Sequence, residues 1–255
     1  MRIVVKVGTS TLTYETGRMN FKRTRALCET LVDLKNAGNE IILVSSGAIG
    51  MGVGKLGLRE KPKDIPTKQA AASVGQCELM YAYDRTFSEY GSTVGQILLT
   101  GSDFSHKDRL QNFTNTVERL LSLGALPIVN ENDTIATDEI KVGDNDTLSA
   151  LVATNTNADL LVILSDIDGL YTANPRTNAN AKLIPWVKEI TPDLLEIAGE
   201  NGSALGTGGM RTKLHAASLC MEKDCEMVIA SGEDPTILYE IVAGKEIGTR
   251  FKKRK

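Results

Sequence analysis

The segment "RIVVKVGTST", Arg2 to Thr11, decides how the rest of the chain is read. Ile3, Val4, Val5 and Val7 make a short β-branched run, the composition of a strand. Gly8-Thr9-Ser10-Thr11 ends it in a small loop containing glycine. Asn20 then caps a helix whose apolar stripe is Leu27, Cys28, Leu31 and Leu34, closed at Gly38. "EIILVSS" is a second buried strand, and Gly47 to Gly54 reads as a glycine-rich turn. Strand, helix, strand in this order implies a right-handed crossover and a parallel sheet with helices on both faces.

The alternation continues to the end of the chain. A long helix is expected over about Pro66 to Tyr90, then the strand "TVGQILLT", then a helix from about Asp108 to Leu123 closed by Gly124. The strand "LPIVN" follows, then a hairpin-like alternation over Asp133 to Gly143 and the strand "LLVILSD". After the loop "DGLYTANPR" come a helix near Thr191 to Gly199, the glycine loop "GTGGM" and a helix over about Arg211 to Lys223. The strand "MVIAS" and the helix "PTILYEIVAG" complete the pattern. No linker, repeat or low-complexity tract interrupts it, so a single α/β domain with two lobes is expected.

Composition narrows the function classes. The 255 residues are 42% hydrophobic, with a net charge of -3 from interleaved acids and bases. No basic stripe for nucleic acid is evident, and Lys252-Lys253-Arg254-Lys255 reads as a solvated tail. Cys28, Cys77, Cys220 and Cys225 lack CxxC spacing and are expected as buried or half-buried free thiols in a reducing compartment. With no signal-like N-terminus and no apolar run of the ~18 residues that span a bilayer, a cytoplasmic protein is expected.

In a parallel α/β sheet, ligands sit at the carboxyl ends of the strands. This chain places Lys6 and Gly8-Thr9-Ser10 there, then Ser45-Ser46-Gly47, Asn130-Glu131-Asn132-Asp133, Ser165-Asp166 and Asp168-Gly169. Lys6 is either an edge-strand lysine snorkelling to solvent or, with the glycine loop after it, part of an anion cradle. "LGTGGMRTK", Leu205 to Lys213, opens a helix with a glycine run suited to close approach of a phosphate or nucleotide. Lys213 can point back to the same pocket. Ile49 stands where GxxxxGK[ST] needs its first glycine, and neither Gly50-Met51-Gly52 nor Gly206-Thr207-Gly208 completes GxGxxG, which argues against a P-loop and a dinucleotide fingerprint. His106 and His215 form no metal or triad constellation. Two lysines, several anion nests and acidic or amide loops without a catalytic His or Cys suit phosphoryl transfer, where positioning of charge dominates. A carboxylate acceptor fits well, because with a pKa of about 4.3 it is ionised at neutral pH and needs no general base.

"VVKVGTSTL", "ILVSSGAIGMG", "KQAAASVGQ", "VGQILLT", "PIVNENDTIAT", "EIKVGDNDTLSA", "DGLYTANPR" and "LGTGGMRTKL" run in order over nearly the whole chain. In these pieces the chain resembles the amino-acid kinase family, and "NEND" followed by "KVGDND" resembles its glutamate-phosphorylating branch. The resemblance implies an α/β fold, a three-layer αβα sandwich around a largely parallel sheet. It implies an acceptor lobe over about 1–157 and a nucleotide lobe over about 158–255. The implied reaction passes a phosphoryl group from ATP, with Mg²⁺, to the γ-carboxylate of L-glutamate, directly and in line. By motif position, Lys6 and Lys213 would bind the phosphates and steady the transferring group. Ser46 and Gly47 would hold the acceptor, and Asp133, Asn145 and Asp146 would contact glutamate, with Asp146 also orienting the lysines. Ser165, Asp166 and the run Thr207, Gly208, Gly209, Met210, Arg211, Thr212, Lys213 would line the ATP site, and Mg²⁺ would be held mainly by phosphates and water.

The resemblance further implies a homo-oligomer (dimer or tetramer), feedback inhibition by proline, and transient contact with a glutamyl-phosphate reductase. Many relatives carry a C-terminal PUA domain; this chain stops after "GTRFKKRK", so a form without it is expected. Ser165 replaces a threonine common in the family and keeps the hydroxyl. Kinases of the same fold for N-acetylglutamate, aspartate or carbamate are the nearest rivals, and a catalytically silent ligand sensor is the rival of another class. The surplus of capping residues in Asp144-Asn145-Asp146 bears on that choice. One can cap the helix starting near Thr147, while Asn145 and Asp146 can receive the ammonium group of a small zwitterion.

Overall fold

The computed structural model describes residues 1–14, 16, 18–135, 145–175, 177–199 and 209–252. The expected hairpin beyond residue 135, Thr207, Gly208 and all but the first residue of the basic tail lie outside the described residues.

The opening segment forms β1 (Arg2–Val7), and the residues after it make one helical turn, α1 (Thr9–Leu12), where a loop was expected. The helix α2 (Phe21–Asn36) starts at Asn20, whose side chain accepts the Arg23 N–H at 3.1 Å, and leads to β2 (Glu40–Ser45). The expected glycine turn is instead the helix α3 (Ala48–Lys55). It packs on α4 (Ile65–Glu89) so closely that a Cβ on Gly75 would lie 1.8 Å from Ala48 O, and one on Gly52 1.8 Å from Ala71 O. Glycine's low helix propensity is overridden there by a backbone-to-backbone contact that only glycine permits.

The chain continues through β3 (Val94–Leu99), a short α5 (Gly101–Ser105), α6 (Lys107–Ser122), β4 (Leu126–Glu131), α7 (Asn145–Asn155) and β5 (Leu160–Ser165). Then come β6 (Trp186–Val187), α8 (Pro192–Gly199), α9 (Met210–Glu222), β7 (Glu226–Ser231), α10 (Ile237–Val242) and β8 (Thr249–Phe251). Together the strands form one sheet of order β3-β4-β2-β1-β5-β7-β8-β6. Every pairing is parallel except β7 with β8.

Strand alternation divides the core into two layers. Ile3, Val5 and Val7 of β1 face α2, α4 and α10, with Leu31, Leu79, Tyr83, Phe87 and Leu238 beneath them. Val4 faces the other way, into the layer built by α6, α7 and α9 with Phe113, Leu148, Val152, Leu214 and Ala217. This is the three-layer αβα sandwich. Lys6, two residues on from Val4, therefore points toward the layer of α7 and α9. Cys28, Cys220 and Cys225 are buried free thiols, whereas Cys77 is exposed because it sits on the outer face of α4, against the expectation for that residue. Among the described residues no helix is long and apolar enough to cross a membrane.

Candidate active site

Chain order reverses at β1: β2 and β4 lie on one side of it, and β5 on the other. Such a switch point opens a crevice at the carboxyl ends of the strands. Lys6 stands next to last in β1, in register with Val44 and Ile163 on its two neighbours. It lies in a central strand and is only 8% exposed, so the edge-strand snorkelling alternative does not apply. A Cβ on Gly8 would come within 3.7 Å of Lys6 Nζ, so the glycine leaves the backbone open beside the ammonium group.

Two helices bring the partners. Asp146 lies in the first turn of α7 and is fully buried. Its Oδ1 is 2.7 Å from Lys6 Nζ and its Oδ2 is 3.0 Å from Lys213 Nζ, one turn into α9. The Thr212 hydroxyl reaches Asp146 Oδ2 at 3.1 Å and Gly209 O at 2.7 Å, tying the start of α9 to α7. Burial alone would push the Asp146 carboxyl up; the two lysines outweigh it and hold the group at about 2. One carboxylate thus joins two buried ammonium groups through different oxygens, so these three side chains together carry a net single positive charge.

A second network adjoins the first. Asn145 Nδ2 lies within hydrogen-bonding distance of Ser45 O at 2.9 Å, Ser46 Oγ at 2.7 Å and Asn130 Oδ1 at 2.9 Å, and these three acceptors share its two N–H hydrogens. Asn130 Nδ2 donates in turn to Gln76 Oε1 at 2.8 Å. Beneath it, the Ser45 and Tyr83 hydroxyls are 2.9 Å apart in the core. Gly47, after Ser46, has φ +104, a left-handed conformation suited to glycine, and starts α3.

Of the residues expected at the site, Lys6, Ser46, Gly47, Asn145, Asp146, Thr212 and Lys213 thus come together. Asn145 and Asp146 do not precede the helix as caps but form its first turn. Their side chains are already engaged, Asn145 through its amide nitrogen with the β2 loop and Asp146 with the lysines. Asp133 is partly buried, and desolvation pushes its carboxyl up. Ser165 is buried at the end of β5, its hydroxyl donating to Asp166 Oδ1 at 3.2 Å, while Asp166 is exposed. Gly209 caps α9. The Met210 side chain packs into the core of the α7–α9 layer, and Arg211 is exposed.

Gln76 and Tyr83 are not among the residues the sequence singles out, whereas Asn130 belongs to the strand-end group Asn130-Glu131-Asn132-Asp133. Gln76 had a visible signal: it interrupts the stripe Ala72, Gly75, Leu79, Tyr83, Phe87 on the buried face of a helix. A separate cavity of about 850 Å³ opens between α2 and α4, lined by Phe21, Tyr81 and Arg85, and holds none of these network residues.

Residues 1–231 match the model of the amino acid kinase family. The chain belongs to that family. A glutamate 5-kinase of Clostridium tetani is 54% identical over 249 residues, covering 98% of this chain and 93% of the relative. One from Clostridium perfringens is 52% identical over 258 residues, covering 100% of this chain and 96% of the relative. Another, from Caldanaerobacter subterraneus, is 52% identical over 251 residues, 98% of this chain and 68% of the relative. The chain therefore falls in the glutamate 5-kinase branch of the amino acid kinases. A carbamate kinase from Giardia lamblia bound to AMP-PNP superposes with a TM-score of 0.68 at 14% identity, over 99% of this chain and 98% of that one. The shared fold of the family is visible in that superposition.

Proposed function

We propose that the protein transfers the γ-phosphoryl group of ATP to the γ-carboxylate of L-glutamate, giving ADP and L-glutamyl 5-phosphate. The observation that carries this reading is the pair of buried lysines, Lys6 and Lys213, held on one carboxylate at the sheet's switch point. Its substrate assignment draws on the glutamate 5-kinases that share about half of the sequence.

The carboxylate nucleophile is ionised at neutral pH, so no side chain has to remove a proton. What remains is to bring two anions together. Lys6 and Lys213 offset their repulsion and steady the charge on the transferring phosphoryl, as preorganised donors do in a site that excludes water. Asp146 positions both lysines. The acceptor lies on the side of Ser46, Gly47, Asn130, Asp133 and Asn145, in the lobe 1–157. The nucleotide lies on the side of Ser165, Asp166 and the start of α9, in the lobe 158–255. Among the described residues no cluster of three or more His, Cys, Asp or Glu could cage a metal, and Asp146 is engaged by the lysines. On this reading Mg²⁺ is carried by the phosphates of ATP and by water, and supplies further charge neutralisation there. An acyl phosphate hydrolyses readily, so hand-over to a reductase belongs to the same proposal, as do a homo-oligomeric enzyme and feedback by proline.

Incubation with ATP, Mg²⁺, hydroxylamine and each candidate acid tests the reading, because hydroxylamine traps an acyl phosphate as its hydroxamate. Glutamate hydroxamate is the expected product. Signal with N-acetylglutamate or aspartate and none with glutamate overturns the substrate, and silence with every acid overturns the enzyme.

A further inference from the structure

The amide relay beside the lysines has a polarity that its backbone contacts set. The Glu131 N–H donates to the Asn130 side chain at 2.9 Å, so the atom there is Asn130 Oδ1 and its Nδ2 faces Gln76. Gln76 must then offer its oxygen to Asn130 and turn its own Nε2 away. That nitrogen is buried, in a residue 9% exposed, and has no hydrogen-bond partner among the described residues. At the other end, the Ser45 carbonyl oxygen accepts from Asn145, which identifies the contacting atom as Asn145 Nδ2. Asn145 Oδ1 is accordingly turned away from the relay.

A buried N–H2 left unmatched is costly, and the close α3–α4 contact allows Gln76 little freedom to relieve it. Gly75, its neighbour in sequence, abuts the backbone of Ala48 and Gly52. The packing at Gly75 and the Asn130 bond to Gln76 Oε1 hold the residue in place, while its Nε2 goes unmatched.

We propose that Gln76 Nε2 donates to the α-carboxylate of the amino-acid substrate and is a specificity residue of this site. The inference rests on the function proposed above. Of the polar groups of glutamate, the ammonium has no lone pair to offer a donor. The γ-carboxylate has to meet the phosphoryl group at Lys6 and Lys213. Gln76 stands two amides away from Asp146, the carboxylate that holds those lysines, at the far end of the relay. The α-carboxylate is the acceptor left for it. Asn145 Oδ1, turned away from the relay, would take the ammonium group between the two ends.

Three ligands separate the contacts: glutamate, glutarate (which lacks only the ammonium) and 4-aminobutyrate (which lacks only the α-carboxylate). Two variants are compared with the wild type, Gln76→Met, which removes both polar atoms at similar volume, and Gln76→Glu, which keeps an oxygen for Asn130 and loses the donor. Losing a hydrogen bond to a charged group should raise the KM for glutamate and the inhibition constant of glutarate by about ten- to a hundredfold. The inhibition constant of 4-aminobutyrate and the KM for ATP should stay as in the wild type. Equal weakening of all three ligands, or of none, overturns the assignment and leaves Gln76 as a packing residue. If Gln76→Met does not fold, the Gln76→Glu pattern decides in the same way. A wild type that does not phosphorylate glutamate overturns the function itself, and the assignment with it.

Discussion

Replacing Asp146 by Asn removes one charge from the centre of the site while keeping the side chain's shape. The carboxyl is held at about 2 against an ordinary 3.8, which at about 1.36 kcal/mol per pH unit is about 2 kcal/mol of preference for the charged form. Breaking a buried ion pair by removing one partner costs about 3–5 kcal/mol, because it leaves the other charge uncompensated. Here two ammonium groups lose their counter-ion, both in residues under a tenth exposed. Asp146→Asn should therefore lower the unfolding free energy by about 2–4 kcal/mol at pH 7. Urea titration followed by circular dichroism measures it, with the denaturant slope unchanged. The sign follows from a depressed pKa. The wild-type advantage is fully present above pH 3.8 and is lost as pH falls toward about 2. A triple variant, Lys6→Met with Asp146→Leu and Lys213→Met, should recover most of the stability and no activity, since apolar groups of similar size replace a buried charge cluster without loss. If Asp146→Asn unfolds at the wild-type urea concentration, the carboxylate is not what holds the two lysines, and the positioning role assigned to it fails.

Lys213→Ala should reduce kcat by about a hundredfold or more, the cost of removing a preorganised donor to developing charge, about 2.7–4 kcal/mol. Near-wild-type turnover would refute its role. Asn145→Ala removes the amide shared among Ser45 O, Ser46 Oγ and Asn130 Oδ1, so KM for glutamate should rise much more than KM for ATP in steady-state assays. A drop in melting temperature with both constants unchanged would reduce Asn145 to a structural residue. Gly75→Ala places a methyl 1.8 Å from a carbonyl oxygen of α3, whereas Gly209→Ala meets nothing within 4 Å among the described residues. Thermal melts should show the first variant strongly destabilised and the second nearly as stable as the wild type.

Legibility differed by the kind of signal. β1, β2, β4, β5 and β7 were readable because a strand covered on both faces needs an unbroken apolar run, and runs such as "IVV" and "LLVIL" have few other uses. The helix α2 was readable from its stripe and its Asn20 cap. α3 was misread because local propensity speaks against a helix with three glycines in eight residues, and its stability comes from α4. β6 and β8, of two and three residues, are too short to show any period. At the candidate site, Lys6 and the Ser46-Gly47 turn announced themselves by polar or glycine residues at strand ends, and Lys213 by the glycine run before its helix. Gln76 lay inside a helix, where the signal was only a polar residue on an apolar stripe.

By itself the sequence determined the alternation of strands and helices, the parallel sheet that follows from it, and the polar groups at the strand ends. It also carries the motifs shared with the amino acid kinases. Those are local or pairwise properties, written in periodicity and in residue type. Only the tertiary structure decided which polar groups meet. Lys6, Asp146 and Lys213 come from a strand and two helices far apart in the chain, and they converge because β1 is flanked by strands from both directions of the winding. The polarity of the Gln76–Asn130–Asn145 relay was likewise invisible beforehand, since an amide's orientation is set by the neighbours that folding supplies.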